Sequence, residues 1–263
     1  MSLETIGENA ATTVYTTVTA GTANVKGNYA ELSAATAIDA YGFILCFEHT
    51  TGNRNFLIDV ALGAAGAEVV LLSNFFCSTG AFVTWVFSPF IPMSIPAGSR
   101  VAVRCQCNVN AQAMRCGMTL IQTDFGAYSG AYSAVETWGA ATSDSAGTAV
   151  VSGQNDAKGA YAQLVASSAN NTSAIIIHVG AGDFTHAANN EMLIDIATGG
   201  AGAETVLIPN IYVIGDVFED IFRPQLIGPI PCSIPSGTRV AVRAQDTDTT
   251  VEAFDVTITA FKV

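Results

Sequence analysis

Two carboxylates and two arginines recur along the chain, and their types and spacing are the ones that could do chemistry. Asp59 and Glu68 flank the run Gly63-Ala64-Ala65-Gly66, and Asp195 and Glu204 flank Gly199-Gly200-Ala201-Gly202. Arg100 and Arg104 return as Arg239 and Arg243. Two acids can serve as the proton donor and the nucleophile or base of a glycosidase, about 5 Å apart in retaining enzymes and further in inverting ones. Acids beside turn carbonyls can also hold calcium, but the dense Asp spacing of calcium loops is missing. The favoured reading is structural. Arginines four apart on a strand share a face, and a guanidinium fork that clamps a carboxylate pins one strand to the next. Buried charge persists only when paired in this way. A catalytic pair would have to occur twice in one chain, with no aromatic cluster nearby for sugar stacking, so no catalytic residue and no metal ligand is assigned and no cofactor is expected.

The other reactive side chains do not form a duplicated mechanism either. Of Cys46, Cys77, Cys105, Cys107, Cys116 and Cys232, five precede residue 123 and one follows it. A disulfide framework required by the fold would recur, so buried free thiols made in a reducing cytoplasm are expected. Cys105 and Cys107 alternate on a strand and share a face, without the second pair that a zinc site needs. The histidines, His49, His178 and His186, do not recur, and His178 aligns with Cys46. No Ser sits in a Gly-x-Ser-x-Gly turn and no Gly-rich loop with Lys follows a strand. Asn170 and Asn171 each begin a glycosylation-type triplet, which carries no weight without a secretory signal.

These residues are positioned by a chain written twice. Glu4-Thr5-Ile6-Gly7 returns as Glu136-Thr137-Trp138-Gly139, and Lys26-Gly27-Asn28-Tyr29-Ala30 as Lys158-Gly159-Ala160-Tyr161-Ala162. Leu57-Ile58-Asp59-Val60-Ala61 returns as Leu193-Ile194-Asp195-Ile196-Ala197, and the stretch from Ser94 to Arg104 as Ser233 to Arg243. The offset grows from 132 to 136 to 139, so four and then three residues enter loops of the second copy. A period this long means whole domains. Alternation such as Arg100-Val101-Ala102-Val103-Arg104 is that of half-buried strands. Short runs of this kind, with Gly and Pro turns between them and no amphipathic helix, predict an all-β protein. The expectation is two tandem, homologous antiparallel β-sandwich domains of jelly-roll-like form, residues 1–122 and 135–263. The Gly-, Ser- and Tyr-rich segment 123–134 links them, and Pro96-Ala97-Gly98 and Pro235-Ser236-Gly237 open a third hairpin-like step.

Surface properties narrow the function. Acidic residues outnumber basic ones 22 to 10, for a net charge of −12, which opposes binding to nucleic acid or to an anionic membrane. No run of about 18 uncharged apolar residues reads as a membrane span, and the N-terminus does not read as a secretory signal. Phe75, Phe76, Phe82, Trp85, Phe87 and Phe90 crowd one segment, with Phe218 and Phe222 in its counterpart. That much apolar surface either crosses the protein's own core or packs against a neighbouring subunit.

The block Leu193-Ile194-Asp195-Ile196-Ala197 with Gly202-Ala203-Glu204, followed by Ile234-Pro235-Ser236-Gly237-Thr238-Arg239-Val240-Ala241-Val242-Arg243, resembles small structural proteins of tailed bacteriophages. The resemblance implies a non-enzymatic β-sandwich virion protein assembled in the host cytoplasm. The expected role is capsid decoration (cement) or a tail accessory, bound to major capsid or tail proteins. Three chains would form a homotrimer, a ring of six similar domains. The rivals are a receptor- or glycan-binding module using the loop Gly182 to Asn190, a secreted lectin, and a glycan hydrolase.

Overall fold

The computed structural model describes residues 2–9, 14–49, 54–79, 85–122, 132, 134–180, 191–216, 221–222 and 225–262. Among the described residues there are strands and turns and no helix. The first half runs β1 (Leu3–Ile6), β2 (Glu8–Asn9), β3 (Val14–Thr19), β4 (Ala30–Ser33), β5 (Gly42–Glu48), β6 (Arg54–Leu62), β7 (Val69–Thr79), β8 (Trp85–Phe87), β9 (Val101–Cys107) and β10 (Ala113–Ile121). The second runs β11 (Ala134–Trp138), β12 (Thr148–Gly153), β13 (Ala162–Val165), β14 (Thr172–Gly180), β15 (Glu191–Thr198), β16 (Thr205–Asp216), β17 (Ile221–Phe222), β18 (Gln225–Ile234), β19 (Val240–Asp246) and β20 (Ala253–Lys262).

In the first half one sheet is ordered β2-β3-β10-β5-β8, with β1 also on β10, and the other β4-β9-β6-β7. The second half shows the same antiparallel neighbours: β12, β11 and β14 on β20, β18 on β14, β13 and β15 on β19, and β16 on β15. A short parallel contact, Ser152 with Ala244 and Gly153 with Gln245, joins the two layers of this half. The glycine runs close the β6–β7 and β15–β16 hairpins. Gly63 and Gly199 lie at φ +109° and +111°, where a side chain would strain the backbone. The proline steps are different from the expected hairpins. β18 pairs with β14 while β19 pairs with β15, so Pro235-Ser236-Gly237 carries the chain from one sheet to the other.

Period-two alternation decides what is buried. Phe43, Leu45 and Phe47 of β5 face Phe56, Ile58 and Phe75 across the first core. Ile175, Ile177 and Val179 of β14 face Ile194, Ile196 and Val242 across the second. Each of these large side chains contributes about 1.5–3 kcal/mol on leaving water. The opposite face of β14 is not solvated. Ala174 and Ile176, with Phe261 of β20, join the core cluster of the first half. The halves therefore meet along a seam between β7 and the sheet formed by β11, β20 and β14. Tyr132, just before β11, is in the seam, its ring 5.3 Å from Phe261. The rest of the expected linker, apart from Ala134, lies outside the described residues.

Candidate functional site

Asp59 sits on β6 at 3% exposure, with all the groups it needs around it. Its Oδ1 accepts from Lys26 Nζ at 2.8 Å and from the Asn74 N–H at 2.9 Å, and its Oδ2 accepts from Arg104 Nε at 2.9 Å. Lys26 also donates to the Leu57 carbonyl, and the Arg104 guanidinium lies 4.6 Å from the centre of the Tyr29 ring. Asp195 repeats this in the second half: Lys158 Nζ, the Asn210 N–H and Arg243 Nε each stand at 2.9 Å. Lys158 donates to the Leu193 carbonyl, and Arg243 lies 4.6 Å over Tyr161. Burial pushes the Asp195 carboxyl up, but the Asn210 N–H, Lys158 and Arg243 hold it below its ordinary value overall. Burial lowers Lys26, against the pull of Asp59.

The second carboxylate of each half belongs to a different cluster. Arg100 lies just before β9 and donates to Glu68 at 3.1 Å, to the Gly63 carbonyl at 3.0 Å and to Glu31 at 2.7 Å. Arg239 holds Glu204 at 2.9 Å and the Gly199 carbonyl at 3.1 Å, with Gln163 standing where Glu31 stands in the first half. The eight residues thus form two separate clamps per half. Arg104 and Arg243 tie β9 and β19 to the central carboxylates, while Arg100 and Arg239 lock the glycine hairpins. Glu68 and Glu204 sit below their ordinary values, Glu68 chiefly through its own backbone N–H, Glu204 through its backbone N–H and Arg239 against burial. A carboxylate with both oxygens already holding cations and N–H donors is poorly placed to attack or to shuttle a proton.

Lys26 with Tyr29, and Lys158 with Tyr161, were legible only as the repeated Lys-Gly-x-Tyr-Ala run, and the ring-on-guanidinium contact gives that run its purpose. Glu4 and Glu136 are a further repeated pair. They cap loops, Glu4 accepting from the N–H groups of Ala37 and Ile38 and Glu136 from that of Ala169.

The aromatic segment does not behave as one interface. Phe75 and Phe76 are enclosed within the chain at 0% and 1% exposure, which corrects their assignment to a contact with another subunit. Alternation sends Phe75 into the first core and Phe76 against the second half. Phe87 is 56% exposed, and Phe90 lies over Gly42. Trp85 and Phe222 lie on β8 and β17, their side chains outside the described set, and Phe82, Phe218, His186 and the 182–190 loop fall outside the described residues. The five cysteines of the first half are buried free thiols, and burial pushes Cys77 and Cys105 up to about 12. Among the described residues no three His, Cys, Asp or Glu side chains gather as a cation cage.

His178 is the residue whose role the sequence did not disclose. It is fully buried in the seam, 4.3 Å from the Phe75 ring centre. Nδ1 lies 2.9 Å from the Phe76 carbonyl and so carries the proton, and Nε2 accepts from Thr259 Oγ1 at 2.9 Å. Burial lowers its pKa to about 4, against the hydrogen bond to Phe76. Thr137 donates to the Ser73 carbonyl, and Gln106 donates to the Thr142 carbonyl at 2.8 Å and to Ser145 at 3.0 Å. A polar groove of about 480 Å³ opens along this seam, between Asn24, Asn55 and Asn108 on one side and Asp144, Thr148 and Asp255 on the other.

No family model and no curated protein matches the chain. Among solved structures it is similar to PNGF-II at 9% identity and TM-score 0.35, over 99% of this chain and 66% of that one. It is also similar to the CBM22-1-CBM22-2 tandem domain of Paenibacillus barcinonensis Xyn10C at 11% identity and TM-score 0.28, over 98% and 91%. A third is the PBSX exported protein XepA, at 11% and TM-score 0.24, over 96% and 86%. The chain thus spans just under two thirds of PNGF-II.

Proposed function

We propose that this chain is a non-enzymatic structural protein of a tailed-bacteriophage particle, a capsid decoration or tail accessory protein that works by self-association and by contact with major capsid or tail proteins. In this reading residues 1–122 and 135–263 are tandem homologous jelly rolls joined by 123–134. The support is the strand order, β3-β10-β5-β8 over β4-β9-β6-β7, and the equivalent neighbours in the second half. Such an order winds eight strands into two Greek keys. The fold does not give the role by itself.

The observation that carries the reading is the fate of the repeated acids. Asp59 and Asp195 are buried and engaged by the same three kinds of donor, so both copies use them to hold strands together. The phage assignment rests on the sequence resemblance. Assembly as a trimer in the host cytoplasm, without nucleic acid or membrane, belongs to the same proposal. Sedimentation of the purified chain, alone and with purified phage particles, tests it. Multimers and co-sedimentation with particles are expected, whereas a monomer with no affinity for particles would overturn it. The asparagine-lined groove supports a second reading, glycan binding, because amides and carboxylates suit sugar hydroxyls. A glycan array decides that reading independently.

A further inference from the structure

We infer that the groove between the halves is a saccharide site, taking uncharged sugar units edge-on between a wall of amide donors and a wall of acceptors. The inference rests on the glycan reading given above and names the ligand class, its orientation and the residues that hold it.

The groove exists because the halves depart from each other at one place. Thr16 and Thr148 donate to the Gly7 and Gly139 carbonyls in the same way, which sets Tyr15 against Gly147 and Thr17 against Ala149. The strand registers then set Arg115 against Asp255 and Glu48 against Gly180. In the first half these positions are filled: Tyr15 lies over Gly117, and Arg115 holds Glu48 at 3.2 Å. In the second half Phe76 of the first half takes the space over Gly180, while Gly147 and Ala149 leave open the groove of about 480 Å³. That volume is in the range of ligand pockets, roughly 300–1,000 Å³.

The first-half wall donates. Asn24, at φ +62° with its N–H on the Cys107 carbonyl, accepts from Ser145 Oγ at 2.9 Å through Oδ1, which leaves its Nδ2 hydrogens to donate. Asn108 accepts from the Cys107 thiol at 3.3 Å and keeps its Nδ2 in the same way. Asn55 is 8% exposed and lines the groove, and its amide has no hydrogen-bond partner among the described residues. Burying an amide unpaired is unfavourable, and a partner can reach this one from the groove. The second-half wall accepts. Asp144 brings an exposed carboxylate, Asp255 a buried one, and Thr148 gives its proton to the Gly139 carbonyl and so turns an acceptor oxygen outward.

A hydroxyl satisfies both walls, because one oxygen accepts from an amide and donates to a carboxylate at once. An ammonium or metal cation would leave the amide donors unmatched, and an anion would face the carboxylates. Among the described lining residues none is Lys, Arg or aromatic. Acidic sugars therefore find no cation there, and no ring stacks on a sugar face. Edge-on hydrogen bonding to neutral sugar hydroxyls is the mode that fits.

The test probes an array of neutral and acidic glycans with the full chain, then titrates the neutral glycan of the strongest spot by calorimetry. Asn55→Leu, Asn108→Ala and Asp144→Ala are compared with the parent. Residues 108 and 144 are exposed, so those variants report even where Asn55→Leu disturbs folding. Each change should weaken binding by on the order of tenfold, and Asn108→Ala with Asp144→Ala by on the order of a hundredfold. The same glycan should raise the melting temperature of the parent and leave that of the double variant unchanged. Equal binding by parent and double variant overturns the groove as the site and leaves glycan binding standing. An array on which acidic glycans alone bind overturns the ligand class. A silent array overturns both the site and the glycan reading.

Discussion

His178 gives the sharpest test of how the halves are held. In the folded chain its pKa is lowered from an ordinary 6.5 to about 4, chiefly by burial. The unfolded chain therefore takes up the proton first as pH falls. The stability that neutral His178 contributes is complete above about pH 6.5, drains between about 6.5 and 4, and is flat below. A tenfold difference in proton affinity is worth about 1.4 kcal/mol, so the full loss is roughly 3 kcal/mol, of which about 2 kcal/mol is gone by about pH 5. The perturbation is His178→Gln, which can still donate to the Phe76 carbonyl and accept from Thr259 but has no proton to gain. Urea unfolding at about pH 8 and about pH 5 should show the parent losing about 2 kcal/mol more than the variant. Burial also lowers His49, but that residue is common to both proteins and cancels. Parallel pH profiles, or a His178 ring proton that titrates in NMR near its ordinary midpoint, would refute the reasoning.

Two further outcomes follow from the clamps and the thiols. Asp195→Ala leaves Lys158 and Arg243 facing a buried gap and should cost roughly 3–5 kcal/mol in urea unfolding, with part recovered by adding Lys158→Met. A loss under about 0.5 kcal/mol, typical of a neutral surface change, would show that the cluster carries no weight. The native protein should give Ellman's reagent at most the half-buried Cys232, and all six thiols once unfolded. A second fast thiol in the native state would contradict the burial that pushes Cys77 and Cys105 to about 12.

The all-β character and the clamp residues were legible because both rest on short-range rules. Alternation in Val101 to Cys107 fixes which side chains enter the core, and a pair of arginines four residues apart that recurs in the second half announces repeated carboxylate partners. Which arginine meets which acid was not legible. Arg100 precedes the strand and reaches the hairpin of β6 and β7, a matter of sheet order that local pattern does not contain. The seam was hidden for the same reason. Phe75 and Phe76 look alike in sequence, yet one step along β7 sends the first ring into the first core and the second against Gly180. His178 read as a lone histidine because its partners, Phe76 and Thr259, are 102 and 81 residues away.

The places where the halves keep and lose their likeness follow the surroundings of each residue. The clamps on the central carboxylates each lie within one half and meet the same neighbours in both, so Asp59 with Lys26, Arg104 and Tyr29 is matched group for group by Asp195 with Lys158, Arg243 and Tyr161. Positions on the seam meet different neighbours in each half, and there the residues part. His178 bridges a carbonyl and a hydroxyl, hydrogen bonds that the Cys46 thiol at the same register is too weak a donor to replace. Gly180 leaves room for a ring where Glu48 instead holds Arg115. Phe76, wholly enclosed, is matched by Tyr212, whose hydroxyl suits a half-wet strand edge.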